Sequence, residues 1–528
     1  MALVSALAGC GGTASSDSGH LTTSDAQISD FTFAIDSPVS SLDYGKDDEI
    51  QTTGMIMSLV TQPLEALSPT NTYSPVLATS VDQPNDTTLV YHLRSGVKFS
   101  NGAPLTATDV VWSIKHYASA SDTSSQMPTL KSVTATGPLT VTVQLVAPDP
   151  QARPEIAMTV LVQNAAFGEA HASDLGTASA VPIGTGPYVV SSDTSSAITL
   201  TRRAHYWGTS PLVKELTFSV ITDDNSRQLA IQSGSVDASP ITNLKSLATW
   251  KALKGAHLDI VPTSSEDFFG FDVAQAPFNN LHVREAIAYA IQRNDLATAA
   301  FDGNVSQLTG GFVPAYELSD VAGTQSAASA YLASLPSYSY SLAQAKAQLK
   351  LSPYPHGFAT TVMYIETLPW EETVVLALQQ ELKPLGITVT AKPVSENYWF
   401  TQFFTGKLTG LNLATFFNAL DNDPAGLLTN MVGASGVHNG GTFNFSHFTS
   451  PQVEADIATV TSDASPASRW TATKGILAAI ADNVAYIPLW TEPDPIVISD
   501  GYTLTSPAAL SLFTFSSGQW IYAIRSAK

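Results

Sequence analysis

The segment 416–424 places two acids close to aromatic rings, because Asp421 and Asp423 follow Phe417 within a few residues. A carboxylate in a closed site can pair with a cationic group, which is costly to bury alone. The same acids could instead cap a turn or a helix, a common use of aspartate in loops. The spacing leaves both alternatives open.

A group of aromatic residues lies just upstream, at Tyr398, Trp399, Phe400, Phe403 and Phe404. Aromatic rings line small-molecule pockets and stack on sugars or peptide side chains, and they also fill cores. For Trp399 the sequence leaves ligand contact and core packing open. For the other rings it favours the core.

The chain lacks the common catalytic motifs, namely the H-E-x-x-H helix, the G-x-S-x-G turn, the phosphate-binding Walker loop and the dinucleotide glycine run. Glu371 and Glu372 adjoin each other at a predicted helix start, where acids interact favourably with the helix dipole. Sequence neighbours do not face each other on a helix, so they form no acid/base pair. We expect a binding protein without a cofactor, and a hydrolase is the less favoured alternative.

Metal binding is a further alternative, since the chain has 10 histidines, and His438 and His447 are close in sequence. Their spacing and surroundings do not form a set of metal ligands. We therefore predict no metal site and interpret these histidines as surface residues with satisfied hydrogen bonds.

Cys10 is the one cysteine of the chain, so neither an internal disulfide nor a cysteine-based zinc site can form. It follows Leu7-Ala8-Gly9 and precedes a stretch rich in Gly, Ser and Thr, which is typical of a flexible tether. The pattern resembles a bacterial lipobox, and we expect residues 1–28 to hold this signal and a tether. Lipidation of Cys10 would keep the protein at the membrane, outside the cytoplasm. No basic residue precedes Cys10, so we expect the natural chain to begin further upstream.

The composition indicates a large globular protein. It has 528 residues, of which 44% are hydrophobic, and this predicts two or three domains. The formal net charge of −21 repels phosphate backbones, which excludes nucleic acid as an expected partner. After the N-terminus there is no apolar run of about 18 residues that could span a membrane.

The hydrophobic pattern alone predicts an α/β fold with mixed sheets. Strands are predicted at 89–93 and 139–145, and a helix at 225–233 with Asp224 as its N-cap. A helix from Pro369 ends at Gly386, and a strand follows at once, which is half of a crossover unit.

Segments spread over nearly the whole chain resemble the family 5 extracellular solute-binding proteins, which include oligopeptide, dipeptide and nickel receptors. They are residues 89–113, 184–188, 201–208, 277–293 and 382–387, in the order found in the family. Within them we interpret Gly102, Gly184 and Gly186 as turn glycines. Arg284 and Arg293 are expected to cap helices or pair with acids rather than touch a ligand.

The resemblance implies a two-lobed periplasmic-binding-protein fold with a hinge between the lobes. Lobe I would comprise residues 29–60, 180–265 and 490–528, with an extra small subdomain at 61–179. Lobe II would comprise residues 266–489. Such lobes close on a ligand as hinged bodies.

The resemblance also implies an extracytoplasmic receptor that delivers a ligand, a peptide in the first instance, to the permease subunits of an ABC importer. An oligosaccharide or a nickel chelate remains an alternative ligand. We expect a monomer whose membrane contact is the lipid anchor.

The resemblance further implies which residues touch the ligand. In relatives an aromatic residue, an acid and an acid-proline pair occur in this region, and the first acid, which Asp421 resembles, holds the ligand's amino end. Phe417 and Asp423 belong to the same segment, whereas Trp399 is a candidate from its residue type alone. Phe268 and Phe269 fall where the resemblance puts a strand that crosses between the lobes. Their backbone could pair with an extended peptide.

Overall fold

The computed structural model describes residues 23–46, 50–68, 72–120, 127, 129–149, 151–261, 265–308, 310–404, 406–417, 424–434, 444–462, 465–506, 510 and 516–527. Cys10 lies outside these ranges, so its predicted role stays a prediction. Within them, no helix is both long and apolar enough to cross a membrane.

The α-helices of the described residues are, in chain order, α1 Ile50–Met57, α2 Ala107–Ser119, α3 Ala152–Thr159, α4 Ala165–Ala170, α5 Asp224–Ser233, α6 Leu247–Lys251, α7 Leu281–Ala290, α8 Arg293–Phe301, α9 Ser319–Ala322, α10 Gln325–Leu332, α11 Leu342–Leu351, α12 Pro369–Leu382, α13 Glu396–Phe404, α14 Pro424–Met431, α15 Pro451–Ser462 and α16 Pro466–Asn483.

The β-strands are β1 Thr23–Ser24, β2 Ile28–Ile35, β3 Glu65–Leu67, β4 Tyr73–Pro75, β5 Ala78–Asn85, β6 Thr88–Leu93, β7 Leu130–Gly137, β8 Thr140–Leu145, β9 Tyr188–Thr194, β10 Ala197–Arg202, β11 Val213–Val220, β12 Ala238–Pro240, β13 Ala256–Val261, β14 Ser265–Phe271, β15 Ser306–Gln307, β16 Ala359–Ile365, β17 Thr388–Val394, β18 Leu411–Phe417, β19 Tyr486–Thr491, β20 Asp494–Ser499, β21 Tyr502–Leu504 and β22 Ile524–Ala527.

The first group of sheets is built around a seven-stranded sheet with the order β13–β20–β12–β2–β11–β10–β9. β2 pairs in parallel with β11 and β12, and the other neighbours are antiparallel, so the sheet is mixed. Residues between β2 and β9 form a four-stranded antiparallel sheet, β5–β6–β8–β7. Buried side chains from both sheets share one continuous hydrophobic core, and the other face of the seven-stranded sheet packs Ala34 and Val497 in a smaller cluster with Trp250.

The second group contains a four-stranded sheet, β15–β19–β14–β18, and a parallel pair, β16–β17. α12 buries Val375, Leu378 and Leu382 in the core of this group. One turn of 3-10 helix follows α12, then Gly386 with a φ of 73°, then β17. The predicted order of helix, glycine and strand is therefore confirmed.

The chain crosses between the two groups twice. It passes from the first to the second between β13 and β14, and it returns between β19 and β20. This arrangement of mixed sheets and helices confirms the predicted α/β fold class.

The predicted start of α5 is wrong by one residue. Asp223 is the N-cap, and its carboxylate accepts the backbone N–H of Ser226 at 2.8 Å. Asp224 lies inside the helix, where its carboxylate accepts hydrogen bonds from Arg227 and Trp250. Two adjacent acids can each cap a helix start, so the sequence alone does not fix which one does.

The three glycines interpreted as turn residues have different roles. Gly102 has a φ of 88°, which favours glycine in a turn. Gly184 and Gly186 have no such φ, but a Cβ on them would lie 2.0 Å from the Val60 carbonyl oxygen and 2.3 Å from that of Leu59. These two positions need glycine because another backbone segment approaches closely.

Replacing Gly184 with alanine is expected to destabilise the protein by about 3 kcal/mol, because a methyl group meets fixed backbone there. Gly501→Ala is the matched control, since nothing lies within 4 Å of a Cβ at Gly501. The control should stay within about 0.5 kcal/mol of the parent. Thermal midpoints measure both effects, and equal midpoints would show that the contact at Gly184 relaxes freely.

Candidate functional site

A cavity of about 630 Å³ lies between the two groups of sheets. Its volume is within the range of ligand pockets, about 300–1,000 Å³. The first group and the crossing segments contribute Thr242, Leu244, Lys245, Glu492 and Asp494. The second group contributes, among others, Ile365, Trp370, Glu371, Glu396, Trp399, Phe400 and Thr415.

A smaller cavity of about 280 Å³ shares Thr242, Leu244, Glu492 and Asp494 with the first one. It extends over the first sheet as far as Asp36. Open space therefore continues along the face of the first group.

The start of α12 positions the most deeply buried charge of the cavity wall. β16 ends at Ile365 and α12 begins at Pro369, so Glu371 lies in the first helical turn. Proline suits the first helical position because its missing N–H would be unpaired there in any case. Ligands in open α/β sheets bind beyond the carboxyl ends of strands, which is where this turn lies.

The carboxyl group of Glu371 is held in place without a cation. The residue is 3% exposed, and its Oε2 accepts the backbone N–H of Ile365 at 2.6 Å. Burial raises the pKa of Glu371 to about 7, and the charges of Glu492 and Glu396 add to the rise. Within the described residues, no lysine or arginine forms an ion pair with it.

Two further carboxyl groups, those of Asp267 and Glu492, lie close together beside the crossings. Asp267 on β14 is fully buried, and Thr415 donates a hydrogen bond to it. Burial raises the pKa of Asp267 to about 7. Burial and the adjacent Asp267 hold the pKa of Glu492 well above its usual range. Like charges this close cannot both ionise easily, so the pair tends to share one proton.

A second carboxyl pair, formed by Glu266 of β14 and Glu317, lies nearby. Glu266 and Glu317 are both fully buried, and burial together with the charge of Glu317 raises the pKa of Glu266 well above its usual range. The middle of the molecule is therefore rich in acids that favour their protonated form.

Trp399 packs in the core and also forms part of the cavity wall, so its contact with a ligand stays a prediction. Its ring stacks on Phe403 with centroids 5.3 Å apart and is 4% exposed, as a core residue would be. It also lines the cavity. Its indole N–H has no hydrogen-bond partner in the part of the chain that the structure describes.

Phe268 and Phe269 do not have the expected role. β14 lies between β18 and β19, and at these two residues it pairs with both neighbours. A ligand strand finds no free edge there, which corrects the expectation that their backbone pairs with it. The Phe268 ring packs against Phe312 and Tyr486 in the core.

The other predicted site residues are described only in part. Phe417 is the last residue of β18, opposite Ser265, which lines the cavity. Asp421 and Asp423 lie outside the described residues, so their contact with a ligand stays a prediction.

Sequence reasoning missed the acids that line the cavity. The sequence explains Glu371 only as an acid that interacts favourably with the dipole at a helix start. Glu492 and Asp494 lie in or next to a short connection between two strands, and no sequence motif marks them. One signal was available for Glu371, because it follows the carboxyl end of a strand of a parallel pair.

Arg284 caps a helix end, as expected, whereas Arg293 neither caps a helix nor forms an ion pair within the described residues and instead binds two carbonyl oxygens. Arg284 donates to the carbonyl oxygens of Phe278 and Asn483, the latter at the end of α16. Arg293 donates to those of Pro488 and Tyr338. Neither arginine lines the cavity between the two groups.

The histidines show no metal-binding arrangement in the described ranges, which hold no group of three or more potential ligands. The ring of His447 pairs with Asp272 at 2.9 Å. That hydrogen bond raises the pKa of His447, and burial opposes the rise. His438 lies outside the described residues.

Comparison with solved structures places the fold among known binding proteins. DppA from Helicobacter pylori in complex with the peptide STSA superposes with a TM-score of 0.78 at 19% identity, covering 96% of this chain and 99% of that one. NikA from Brucella suis in complex with Fe(III)-EDTA superposes with a TM-score of 0.78 at 18% identity, covering 94% of this chain and 100% of that one. AgaA from A. tumefacien R10 in complex with agropinic acid superposes with a TM-score of 0.77 at 20% identity, covering 94% of this chain and 99% of that one. At such low sequence identities, this structural similarity shows that the chains share a fold.

Comparison of sequences identifies more closely related proteins. The glutathione-binding protein GsiB of Salmonella typhi is 28% identical over 305 residues, which are 56% of each chain. That of Escherichia coli K12 is 27% identical over 329 residues, or 59% of each. The matched region thus spans little more than half the length of these relatives.

The match to a protein family covers a larger part of the chain. Residues 72–438 match the middle region of the bacterial extracellular solute-binding proteins, family 5. This stretch includes the whole of the four-stranded sheet β5–β6–β8–β7, the first crossing and the wall formed by α12 and α13. The chain belongs to the family 5 bacterial extracellular solute-binding proteins.

Proposed function

We propose that the protein is an extracytoplasmic receptor that binds a small peptide and delivers it to an ABC importer without altering it. Family membership supports the binding role. The single observation that carries the proposal is the cavity of about 630 Å³ between the two groups of sheets. A ligand there contacts both groups at once, which is what a receptor that closes around its solute requires.

The two groups would act as two lobes joined at the crossings. We assign residues 29–60, 180–265 and 490–528 to lobe I, 61–179 to its extra subdomain and 266–489 to lobe II. The strand pairing supports this division, because the seven-stranded sheet uses strands of the lobe I segments, and β15–β19–β14–β18 lies almost wholly within 266–489. Two packed bodies that are joined by only a few connections can move relative to each other about a hinge.

A peptide is the ligand that the comparisons favour. One related structure holds the peptide STSA, and the related sequences are named for glutathione binding. The cavity offers acids for an ammonium group, and aromatic rings for side chains. Its acidic wall disfavours anionic chelates, because like charges repel.

The remaining parts of the proposal concern location and partners. A lipid on Cys10 would hold the protein at the outer face of the membrane, close to the permease subunits. The receptor would act as a monomer, since one cavity with walls from one chain suffices to enclose a ligand.

We expect the purified protein to bind tripeptides and to return them unchanged. An equimolar mixture of tripeptides with acidic, basic, polar and apolar central residues is the probe, and maltotriose is the control. At a ligand concentration of about 100 Kd, binding should stabilise the protein by about 2.7 kcal/mol, visible as a higher thermal midpoint.

Native mass spectrometry then identifies the retained peptides, and liquid chromatography shows whether any was cleaved. Stabilisation by maltotriose alone, or a cleaved peptide, would contradict the proposal.

A further inference from the structure

The charges around the inter-lobe cavity are strongly unbalanced. Glu371, Glu396, Glu492 and Asp494 line it, and among the described lining residues Lys245 is the one cation. The amine of Lys245 already donates to the Ala299 carbonyl oxygen at 2.9 Å. The wall therefore has acids from both lobes and little to neutralise them.

Glu371 is the group whose environment most needs a counter-charge. It is 3% exposed, and the hydrogen bond from the Ile365 amide is not matched by a cation within the described residues. An ionised carboxylate that is removed from water without a partner is costly. A ligand cation placed against it would supply the missing partner.

An independent feature of the same wall also indicates a ligand. The Trp399 indole N–H is buried and has no hydrogen-bond partner in the described chain. Buried donors are nearly always paired, so an unpaired one in a cavity wall suggests a missing acceptor. A peptide carbonyl oxygen is an acceptor of this kind.

The aromatic residues beside these groups suit the same ligand. Trp370 and Phe400 line the cavity, and Phe400 is 38% exposed. Cations are attracted to the faces of aromatic rings, most of all to tryptophan. The methylene groups of a long basic side chain also pack well on such rings.

We infer that the receptor selects peptides with a basic side chain, whose ammonium or guanidinium group lies against Glu371 between the two lobes. This inference rests on the proposed peptide-binding function and narrows it to a substrate class. The ligand's positive group would satisfy the buried carboxylate, and the neighbouring acids Glu396 and Glu492 would strengthen the attraction. Acidic peptides would be excluded by the same charges.

Three tripeptides test the inference by isothermal titration calorimetry: Ala-Lys-Ala, Ala-norleucine-Ala and Ala-Glu-Ala. Norleucine keeps most of the apolar length of lysine and lacks its charge. We expect Ala-Lys-Ala to bind at least about tenfold more tightly than the norleucine peptide, as charge-assisted hydrogen bonds do. Ala-Glu-Ala should bind most weakly.

Two variants locate the selectivity. Glu371→Gln keeps the shape and the acceptor for the Ile365 amide, and should lose most of the preference for lysine. Glu372→Gln is the matched control, because Glu372 is exposed in the same helical turn and accepts from Tyr364 rather than lining the cavity. Equal effects of the two variants would overturn the assignment to Glu371.

A measurement on the unaltered protein does not depend on how the variants fold. A bound cation favours the ionised form of Glu371, so binding of Ala-Lys-Ala should release protons. The affinity for Ala-Lys-Ala should therefore rise between pH 5.5 and 8. The affinity for the norleucine peptide should change less over the same range. Equal binding of the three peptides would overturn the charge selectivity and leave the receptor function intact. No binding of any of them would overturn both.

Discussion

The protein is expected to be less stable at pH 8 than at pH 5, which is opposite to the usual loss of stability on acidification. The cause is the group of buried carboxyl groups at the crossings. Burial raises the pKa of Asp267 and of Glu371 to about 7, and that of Glu266 well above its usual range. Folding therefore favours the protonated forms.

The sign follows from proton binding in the two states. A carboxyl group with a higher pKa in the folded chain stabilises it fully below the ordinary pKa, and this contribution is lost as pH rises through the folded value. For Glu371 this loss occurs between pH 4.5 and about pH 7. Over that whole range the free energy of unfolding falls by about 3 kcal/mol. Asp267 also loses its stabilising contribution as the pH rises, between pH 3.8 and about pH 7.

Groups with the opposite behaviour do not cancel this effect in the same range. Burial would raise the pKa of Asp43, but the hydrogen bond and charge of His116, together with Lys46, lower it. Its contribution is lost only when the pH falls below the ordinary value of 3.8. Between pH 5 and pH 8 the raised carboxyl groups therefore decide the trend.

Urea midpoints at pH 5 and pH 8, at one ionic strength, measure the trend. Glu371→Gln should reduce the difference in unfolding free energy between pH 5 and pH 8 by about 2.5 kcal/mol, because glutamine does not titrate. Glu372→Gln should leave the difference unchanged. A higher midpoint at pH 8 than at pH 5 in the parent protein would show that the carboxyl groups are not protonated in the folded state.

Local sequence patterns predicted the fold class well, because they are set by short-range physics. The capping box of α2 is present, with the Thr106 amide donating to Asp109 at 2.9 Å. β8 alternates buried and half-buried residues, as its sequence predicts. α12 begins at Pro369, and the 3-10 turn that follows it ends at Gly386, whose positive φ stops the helix.

The candidate site was predicted less well, because it depends on contacts between distant parts of the chain. Trp399 was found through its residue type, which suits a core and a pocket wall equally. The pairing of β14 on both sides, which removes Phe268 and Phe269 from the site, depends on β18 and β19 far along the chain. No local pattern shows that Glu371 and Glu492 share one cavity.

Replacing Arg227 with methionine is expected to destabilise the protein by about 3–5 kcal/mol, since breaking one side of a buried polar cluster leaves its partners unpaired. Arg227 is fully buried and donates to Asp224 at 2.9 Å, to Thr242 at 2.8 Å and to the carbonyl oxygens of Ile221 and Thr222. Lys251→Met on the exposed side of α6 is the control, and should change stability by no more than about 0.5 kcal/mol. Urea midpoints compare the two.

The same variant should also weaken peptide binding, because Arg227 fixes part of the cavity wall. Thr242 lines the cavity and accepts from Arg227, and Asp224 accepts from Ser246 at 2.8 Å just beyond the lining residue Lys245. Without the guanidinium group, Thr242 loses its attachment to α5, and Asp224, which holds Ser246, loses its cationic partner. Tripeptide affinity of Arg227→Met, measured well below its unfolding temperature, should therefore fall, whereas that of Lys251→Met should not. Unchanged affinity in a destabilised variant would show that the wall is held by other contacts.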